Sequence, residues 1–383
     1  MRESLKEKQI VLGVTGSIAA VETVRLTHAL RRRGGQVTAV MSGAATRIIH
    51  PDALTYATGN ETVVAITGRV EHVIHCGDEG IADLLLIAPC TANTLCKIAA
   101  GIDDTPVTTF ATTALGRGMP VIVVPAMHHS MFRHPGVRDC LTRLEAWGVE
   151  VVPPRIEEGK AKIAGIDEIV LHCERALLGR SLAGKRILIS SGPCREPVDD
   201  IRVLTTRSTG QMGQELALQA FRLGAEVTIV HSGRIPCVRN IPATSASAMR
   251  EAVLRICREE PPDLYISAAA ISDFAPEPFA GKLRSGTPVT LTLNPLPKLL
   301  DDVITGCRIP AVAFKLGTDE EDAARDLLRK GARMVVVNGP ESMGSLQGAA
   351  VILGNDTRVE IEGSKEELAA EIWEHILMRG GIR

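Results

Sequence analysis

Short runs of consecutive apolar residues recur along the chain, spaced widely enough for a helix between each pair. In the first half they lie at Ile10 to Val14, Gln36 to Met41, Leu84 to Pro89, Val121 to Pro125 and Val149 to Pro153. Runs apolar on both faces and separated by helix-length segments predict a parallel sheet covered on both sides. The pattern restarts at Arg186 to Ser190 and continues at Glu226 to His231, Leu264 to Ala269, Ala311 to Phe314 and Met334 to Asn338. It closes with a strand at Ala350 to Leu353, a turn through Asn355 and Asp356, and a helix from Lys365 to Met378. Between the halves, Leu177 to Arg186 has the glycine, serine and charge content of a linker. The fold class predicted is α/β, with two doubly wound Rossmann-like domains, 1–179 and 180–383. Each should bind its ligand at the carboxyl ends of its strands.

Composition agrees with that division. A chain of 383 residues, 45% hydrophobic and 23% charged, exceeds what one core usually holds. The formal net charge of -2 supplies no broad positive field, so neither a nucleic acid nor a membrane surface is expected as partner. The Arg31-Arg32-Arg33 triplet reads as a solvated helix face. Apolar runs fall far short of the ~20 residues of a membrane-spanning helix. A charged N-terminus that passes straight into a strand predicts a cytoplasmic protein. Nine cysteines without a C-x-x-C pair argue against a disulfide framework and a zinc site.

Candidate chemistry concentrates where strands end. The first strand runs into Thr15-Gly16-Ser17-Ile18-Ala19-Ala20, which opens a helix. A glycine there lets backbone approach an anion, free amides at a helix start donate to phosphate oxygens, and Ser17 adds a hydroxyl. On this turn alone a phosphate site and an ordinary tight turn are both open. Ser42, at the next strand end, reads equally as an N-cap. Two further strand-end loops, Ala88-Pro89-Cys90-Thr91-Ala92-Asn93-Thr94 and Pro125-Ala126-Met127-His128-His129-Ser130-Met131-Phe132, add small polar groups, methionines and histidines.

With these four loops the first half resembles the flavin-containing cysteine decarboxylases, and in particular the decarboxylase half of the bifunctional enzymes of coenzyme A biosynthesis. GVTGSIAA, EHVIHC, ADLLLIAPCTANT and PAMHHSMF carry the resemblance. It implies bound FMN, with the phosphate against Gly16, Ser17 and Ile18, Ser42 on the second loop, and Thr91, Ala92, Asn93 and Thr94 along the ring. It also implies a catalytic histidine. His72 fits the motif best, whereas His75 takes the place if the following CGDEGIAD is read without an insertion. In such enzymes FMN oxidises the thiol side of the substrate to a thioaldehyde, whose thiocarbonyl takes up the electrons left as carbon dioxide departs, and reduced flavin finally returns the hydride to the enethiol product. A histidine near neutral pKa handles the thiol proton. His128 stands where the family motif has asparagine, and an imidazole can still donate to the substrate carboxylate. The flap stretch PPRIEEGKAKIAG lacks the family's cysteine. Lys160 or Lys162 could replace it as acid or phosphate partner, and a mobile loop with solvated lysines is the plainer reading.

In the second half, Ser191-Gly192-Pro193-Cys194-Arg195-Glu196-Pro197-Val198-Asp199 leads to Arg207-Ser208-Thr209-Gly210-Gln211-Met212-Gly213 at a helix start, again an anion cradle. The ordered series continues through SAAAISDF, GKL, NPLPK, AFK and VN, and resembles the ligase half of the same enzymes. The resemblance implies that CTP, with Mg2+, activates the carboxylate of 4'-phosphopantothenate as an acyl cytidylate, which cysteine then attacks to yield phosphopantothenoylcysteine. Lys282 then corresponds to the functional lysine. Ser267, Ala268, Ala269, Asp273 and Phe314 correspond to nucleotide contacts, and Lys330 to a phosphate contact. Thr206 replaces an asparagine that handles the acyl intermediate, and Gln211 replaces a basic residue. A homo-oligomer as large as a dodecamer is implied, from flavin-domain trimers and ligase-domain dimers.

Those departures keep two other readings open: an active flavin decarboxylase with an impaired ligase module, and a non-catalytic flavoprotein regulator. A nicotinamide dehydrogenase is disfavoured, because neither half has G-x-G-x-x-G followed by a ribose-binding acid.

Overall fold

A computed structural model describes residues 3–157, 160–286, 288–317, 320–378 and 382. The chain forms two compact units, one ending at Gly179 and one beginning at Arg180. Among the described residues no helix is long and apolar enough to cross a membrane.

The first unit contains strands β1 (Gln9–Val14), β2 (Gln36–Met41), β3 (Leu84–Cys90), β4 (Val121–Pro125), β5 (Met127–His128), β6 (Glu150–Val151), β7 (Arg155–Glu157) and β8 (Lys160–Lys162). Its helices are α1 (Thr23–Arg32), α2 (Pro51–Thr58), α3 (Glu71–Cys76), α4 (Ala92–Ala99), α5 (Pro106–Arg117), α6 (His129–Phe132), α7 (Pro135–Ala146) and α8 (Ile166–Leu177). Five strands make a parallel sheet in the order β2-β1-β3-β4-β6. Side chains alternate across it, as the pleat requires. Ile10, Leu12, Val14, Leu84, Leu86 and Ala88 join one apolar cluster with Leu26, Leu30 and Ile169 from α1 and α8. Val11, Leu85 and Ile87 join another with Leu95, Phe110 and Leu144 from α4, α5 and α7. Both faces are therefore covered, which is why these strands read as unbroken apolar runs.

Two details depart from the sequence pattern. The run at Val149 to Pro153 pairs over only two residues, Glu150 and Val151, at the edge of the sheet. The stretch PPRIEEGKAKIAG, expected as a loop, holds the hairpin β7–β8, and β8 pairs with β5 so that His128 lies opposite Lys160.

The second unit comprises β9 (Arg186–Pro193), β10 (Arg195–Pro197), β11 (Val203–Thr205), β12 (Glu226–His231), β13 (Arg239–Pro242), β14 (Leu264–Ala270), β15 (Phe274–Pro276), β16 (Leu293–Pro295), β17 (Ala311–Leu316), β18 (Met334–Asn338), β19 (Gln347–Gly354) and β20 (Thr357–Ser364). With them go α9 (Gln211–Arg222), α10 (Ala246–Glu259), α11 (Leu299–Asp301), α12 (Glu321–Arg329) and α13 (Lys365–Met378). The main sheet runs β13-β12-β9-β14-β17-β18-β19-β20. It is parallel through β18, and β19 and β20 close it antiparallel. The α10 residues Met249, Val253 and Ile256 pack against Leu188, Val230 and Tyr265 of the sheet. The Trp373 ring of α13 is fully buried, and its Nε1 donates to the Leu216 carbonyl of α9 at 2.9 Å.

Each sheet has one place where the winding reverses: between β1 and β3 in the first unit, and between β9 and β14 in the second. Connections diverge there and leave a crevice beyond the carboxyl ends of the strands, the usual ligand position in such sheets.

Candidate active sites

At the first crevice the loops are fastened to one another. The Thr15 hydroxyl donates to the Pro89 carbonyl at 2.7 Å and accepts from the Thr91 amide at 3.0 Å, joining the ends of β1 and β3. The Ser42 amide donates to the Val14 carbonyl at 3.0 Å, which ties in the end of β2. Gly16 lies so close to this second loop that a Cβ on it would sit 2.5 Å from the Ala44 Cβ. Only a residue without a side chain allows that approach.

Ser17 caps the helical turn that follows, its Oγ accepting from the Ala19 amide at 3.4 Å. Ser42 likewise accepts from the Ala45 amide at 3.3 Å, and Thr91 from the Thr94 amide at 3.3 Å. Ala92 and Thr94 are buried, whereas Asn93 is exposed at the start of α4.

A cavity of about 1090 Å³ opens beside this crevice. Ser17, Ile18, His128 and Lys162 line it, together with Arg25 and His28 of α1, which sequence patterns did not single out. His128 caps α6: its Nδ1 accepts from the Ser130 amide at 3.4 Å and lies 2.9 Å from the Ser130 Oγ. An imidazole accepting at Nδ1 carries its neutral-state proton on Nε2, which leaves a donor for a ligand anion. Ser42, His72 and the Thr91 to Thr94 segment are not among the lining residues. The side chain of Lys160 lies outside the described part of the structure, and Lys162 has a partner of its own.

The two candidate histidines on α3 differ. His75 packs against Phe110, ring centroids 6.1 Å apart, and burial lowers its pKa below the ordinary histidine value. His72 has a buried Nδ1 with no hydrogen-bond partner. A buried polar atom left unpaired is costly, so an orphan of this kind is a candidate for a ligand contact.

At the second crevice, α9 starts hard against β9. A Cβ on Gly213 would fall 2.2 Å from the Ser191 Oγ, and Gly210, at φ 77°, takes the left-handed conformation glycine favours. A cleft of about 120 Å³ runs along Ser208 to Gly213, the β14 end at Ala268 to Ala270, and the β17 end at Phe314 to Leu316. Asn338, Ser342 and Lys365 complete its far side. Gln211 Oε1 and Asn338 Oδ1 are buried without partners, as is Thr206 Oγ1 nearby in sequence.

The other expected residues lie elsewhere. The Ser267 hydroxyl bonds to Tyr265, whose own hydroxyl lies 2.8 Å from the Ser190 Oγ; burial pushes this phenol up to about 12. Asp273 is paired with Lys298, and Lys330 with Asp301 at 3.0 Å, both on the surface. Lys282 is exposed on the connection between β15 and β16. That connection is held by Asp199, whose carboxylate accepts from the amides of Leu283, Ile201 and Arg202 at 3.0, 2.8 and 2.6 Å. These bonds, that from Leu283 foremost, hold the carboxyl well below the usual range. No group of three or more His, Cys, Asp or Glu residues that could hold a metal occurs among the described residues.

Fold and crevices define a tandem of two nucleotide-type α/β units. A family model described as "Flavoprotein" matches residues 1–177, and one described as "DNA/pantothenate metabolism flavoprotein C-terminal domain" matches residues 182–379. The chain is 43% identical over 382 residues to the coenzyme A biosynthesis bifunctional protein CoaBC of Thermococcus kodakarensis, covering 96% of this chain and 94% of the relative. It is 33% identical over 387 residues to the CoaBC protein of Methanocaldococcus jannaschii, with 97% and 94% covered. The chain belongs to the CoaBC family of bifunctional coenzyme A biosynthesis proteins. Among solved structures, the C-terminal domain of a CoaBC protein aligns with 52% of this chain and 97% of its own at 30% identity and a TM-score of 0.44.

Proposed function

We propose that this chain carries out two successive reactions of coenzyme A biosynthesis. The second unit joins 4'-phosphopantothenate to cysteine at the expense of CTP, and the first decarboxylates the resulting phosphopantothenoylcysteine with FMN. The observation that carries the reading is the pair of switch-point crevices, each with a glycine forced by close approach and each in a unit with unpartnered buried polar atoms, in a chain of this family throughout its length.

The first crevice fits a flavin nucleotide. Gly16, Ser17 and Ile18 would hold its phosphate, with Ser42 beside them, and Thr91 to Thr94 would border its ring. When bound, FMN supplies oxidation of the thiol-bearing carbon, without which carbon dioxide loss has no electron sink. His72 would take the thiol proton, a role supported by its buried Nδ1 having no hydrogen-bond partner. His128 would orient the substrate carboxylate through Nε2. The lining by Ser17 and His128 places both on one cavity, large enough for a substrate of this size.

In the second unit, the amides that open α9 and the Gln211 and Asn338 carboxamides would receive the nucleotide, with Phe314 at its edge. Lys282 and Thr206 would act on the acyl intermediate. Mg2+ would enter with the triphosphate, as such ions are usually held by substrate phosphates and one or two carboxylates.

The test is direct. Purified protein should show flavin absorption, release pyrophosphate from CTP only with phosphopantothenate present and in sustained turnover only when cysteine is added, and release carbon dioxide from the ligated product. Colourless protein that ignores added FMN would refute the first half of the reading, and absent pyrophosphate release the second.

A further inference from the structure

Lys365 opens α13 from a position where a lysine is electrostatically out of place. The amino end of a helix carries partial positive charge and favours acids. Its two neighbours obey that rule and are engaged: Glu367 accepts from the Ser364 amide at 2.8 Å and hydroxyl at 2.7 Å, and Glu366 pairs with Arg222 at 3.6 Å. Lys365 itself is only 8% exposed. Among the described residues no carboxylate or carbonyl accepts from its ammonium, and burial alone lowers its pKa below the ordinary lysine value.

An ammonium partly withdrawn from water at the wall of a cleft, with no partner, is stabilised when an anion arrives to pair with it. The surroundings are shaped for that arrival. A Cβ on Gly348 would sit 3.0 Å from the Lys365 Nζ and 3.5 Å from the Ser342 Cβ, so the space beside the ammonium depends on glycine. Lys365 and Ser342 line the same cleft as the start of α9. The helices concerned, α9 and α13, are 12 and 14 residues long. Gln211 and Asn338 have unpartnered carboxamide oxygens there, and either amide can turn its NH2 toward an anion instead.

We infer that Lys365 is a phosphate-binding residue of this cleft, its ammonium pairing with the triphosphate of the nucleotide. The inference rests on the second unit's being the CTP site. It makes Lys365 a contact for the nucleotide rather than for the phosphate of 4'-phosphopantothenate.

The full chain should be compared with its K365M variant, which keeps a long unbranched side chain and removes the charge. The KM for CTP should rise at least about tenfold, the scale of one lost charge-assisted hydrogen bond. The KM values for 4'-phosphopantothenate and cysteine should stay within about twofold, and the variant's thermal transition should match the parent's. An unchanged KM for CTP, a rise confined to 4'-phosphopantothenate, or an equal rise for all three substrates would overturn the inference. Calorimetric titration with inorganic tripolyphosphate reads the same contact without turnover. Wild-type binding weakened at least about tenfold in K365M supports it, and equal binding, or none by wild type, overturns it. A wild-type chain that releases no pyrophosphate from CTP would defeat the ligase reading, and the tripolyphosphate result would still decide the role of Lys365.

Discussion

Replacing Gly16 by alanine tests whether the first crevice depends on close approach between two strand-end loops. The built Cβ would lie 2.5 Å from the Ala44 Cβ and 3.3 Å from its carbonyl carbon. Carbon atoms settle at roughly 3.5–4.0 Å, so the loops must separate by about 1 Å or more. Overpacking of that kind costs about 1–3 kcal/mol, or roughly 2–10 °C in Tm for a domain of this size. The backbone at residue 16 needs no glycine-specific φ, so the effect is steric. If this turn holds the flavin phosphate as proposed, displacing it by about 1 Å should weaken FMN retention by about tenfold or more. Absorption of the purified protein and titration of stripped protein with FMN give both quantities. Deleting the opposing methyl in the double variant G16A/A44G should restore most of the binding. G16A that retains flavin within about twofold of wild type, or a double variant no better than the single, would refute the argument.

In the second unit, G213A places a methyl 2.2 Å from the Ser191 Oγ; CTP-dependent ligation should fall about tenfold or more, while carbon dioxide release from supplied phosphopantothenoylcysteine is unchanged. Trp373 is fully buried with its Nε1 bonded to Leu216, so W373A should cost about 3–5 kcal/mol and W373F about 1–2, measured by denaturant midpoint; a W373A loss below about 1 kcal/mol would contradict the packing account. Because His128 is read as an Nε2 donor, H128Q should keep more decarboxylase activity than H128A, and equal losses would remove that role. Asp199 has a folded-state pKa below its unfolded value, so its stabilisation is present above the ordinary carboxylate pKa of about 4 and is lost as pH falls below it. The stability gap between wild type and D199N should therefore be constant above about pH 5 and shrink in stronger acid; a gap that widens on acidification would reverse the sign.

The buried strands were legible because both faces are covered, so each appears as an uninterrupted apolar run. The family expectation, which rested on strand-end loops, is borne out by relatives matching nearly the whole chain. What escaped were elements with one wet face. Strand β20, Thr357–Ser364, alternates exposed Arg358, Glu360 and Glu362 with Val359 and Ile361, and this half-polar rhythm at a sheet edge has no unbroken apolar run to mark it between a turn and a helix. The hairpin β7–β8 went unseen for a similar reason: its pairing partner, β5, is a two-residue strand supplied by the His128 loop.

The residue types at the candidate sites were legible, and their burial and pairing were not. A motif states which residue follows which, whereas burial and pairing are set by packing at long range. Lys365 shows the gap, since a lysine before two glutamates reads as a solvated helix start until its burial is known. Asp273 and Lys330 show the converse. Both read as ligand contacts, and both are paired with neighbours on the surface. Exposed pairs of this kind contribute only about 0–1 kcal/mol. A phosphate-bearing ligand could therefore take either residue from its partner at little energetic cost, and the ion pairs do not argue against a role in binding. The Lys282 connection is different: the Leu283, Ile201 and Arg202 amides all converge on the Asp199 carboxylate. Any approach of Lys282 to a nucleotide must start from that anchored base.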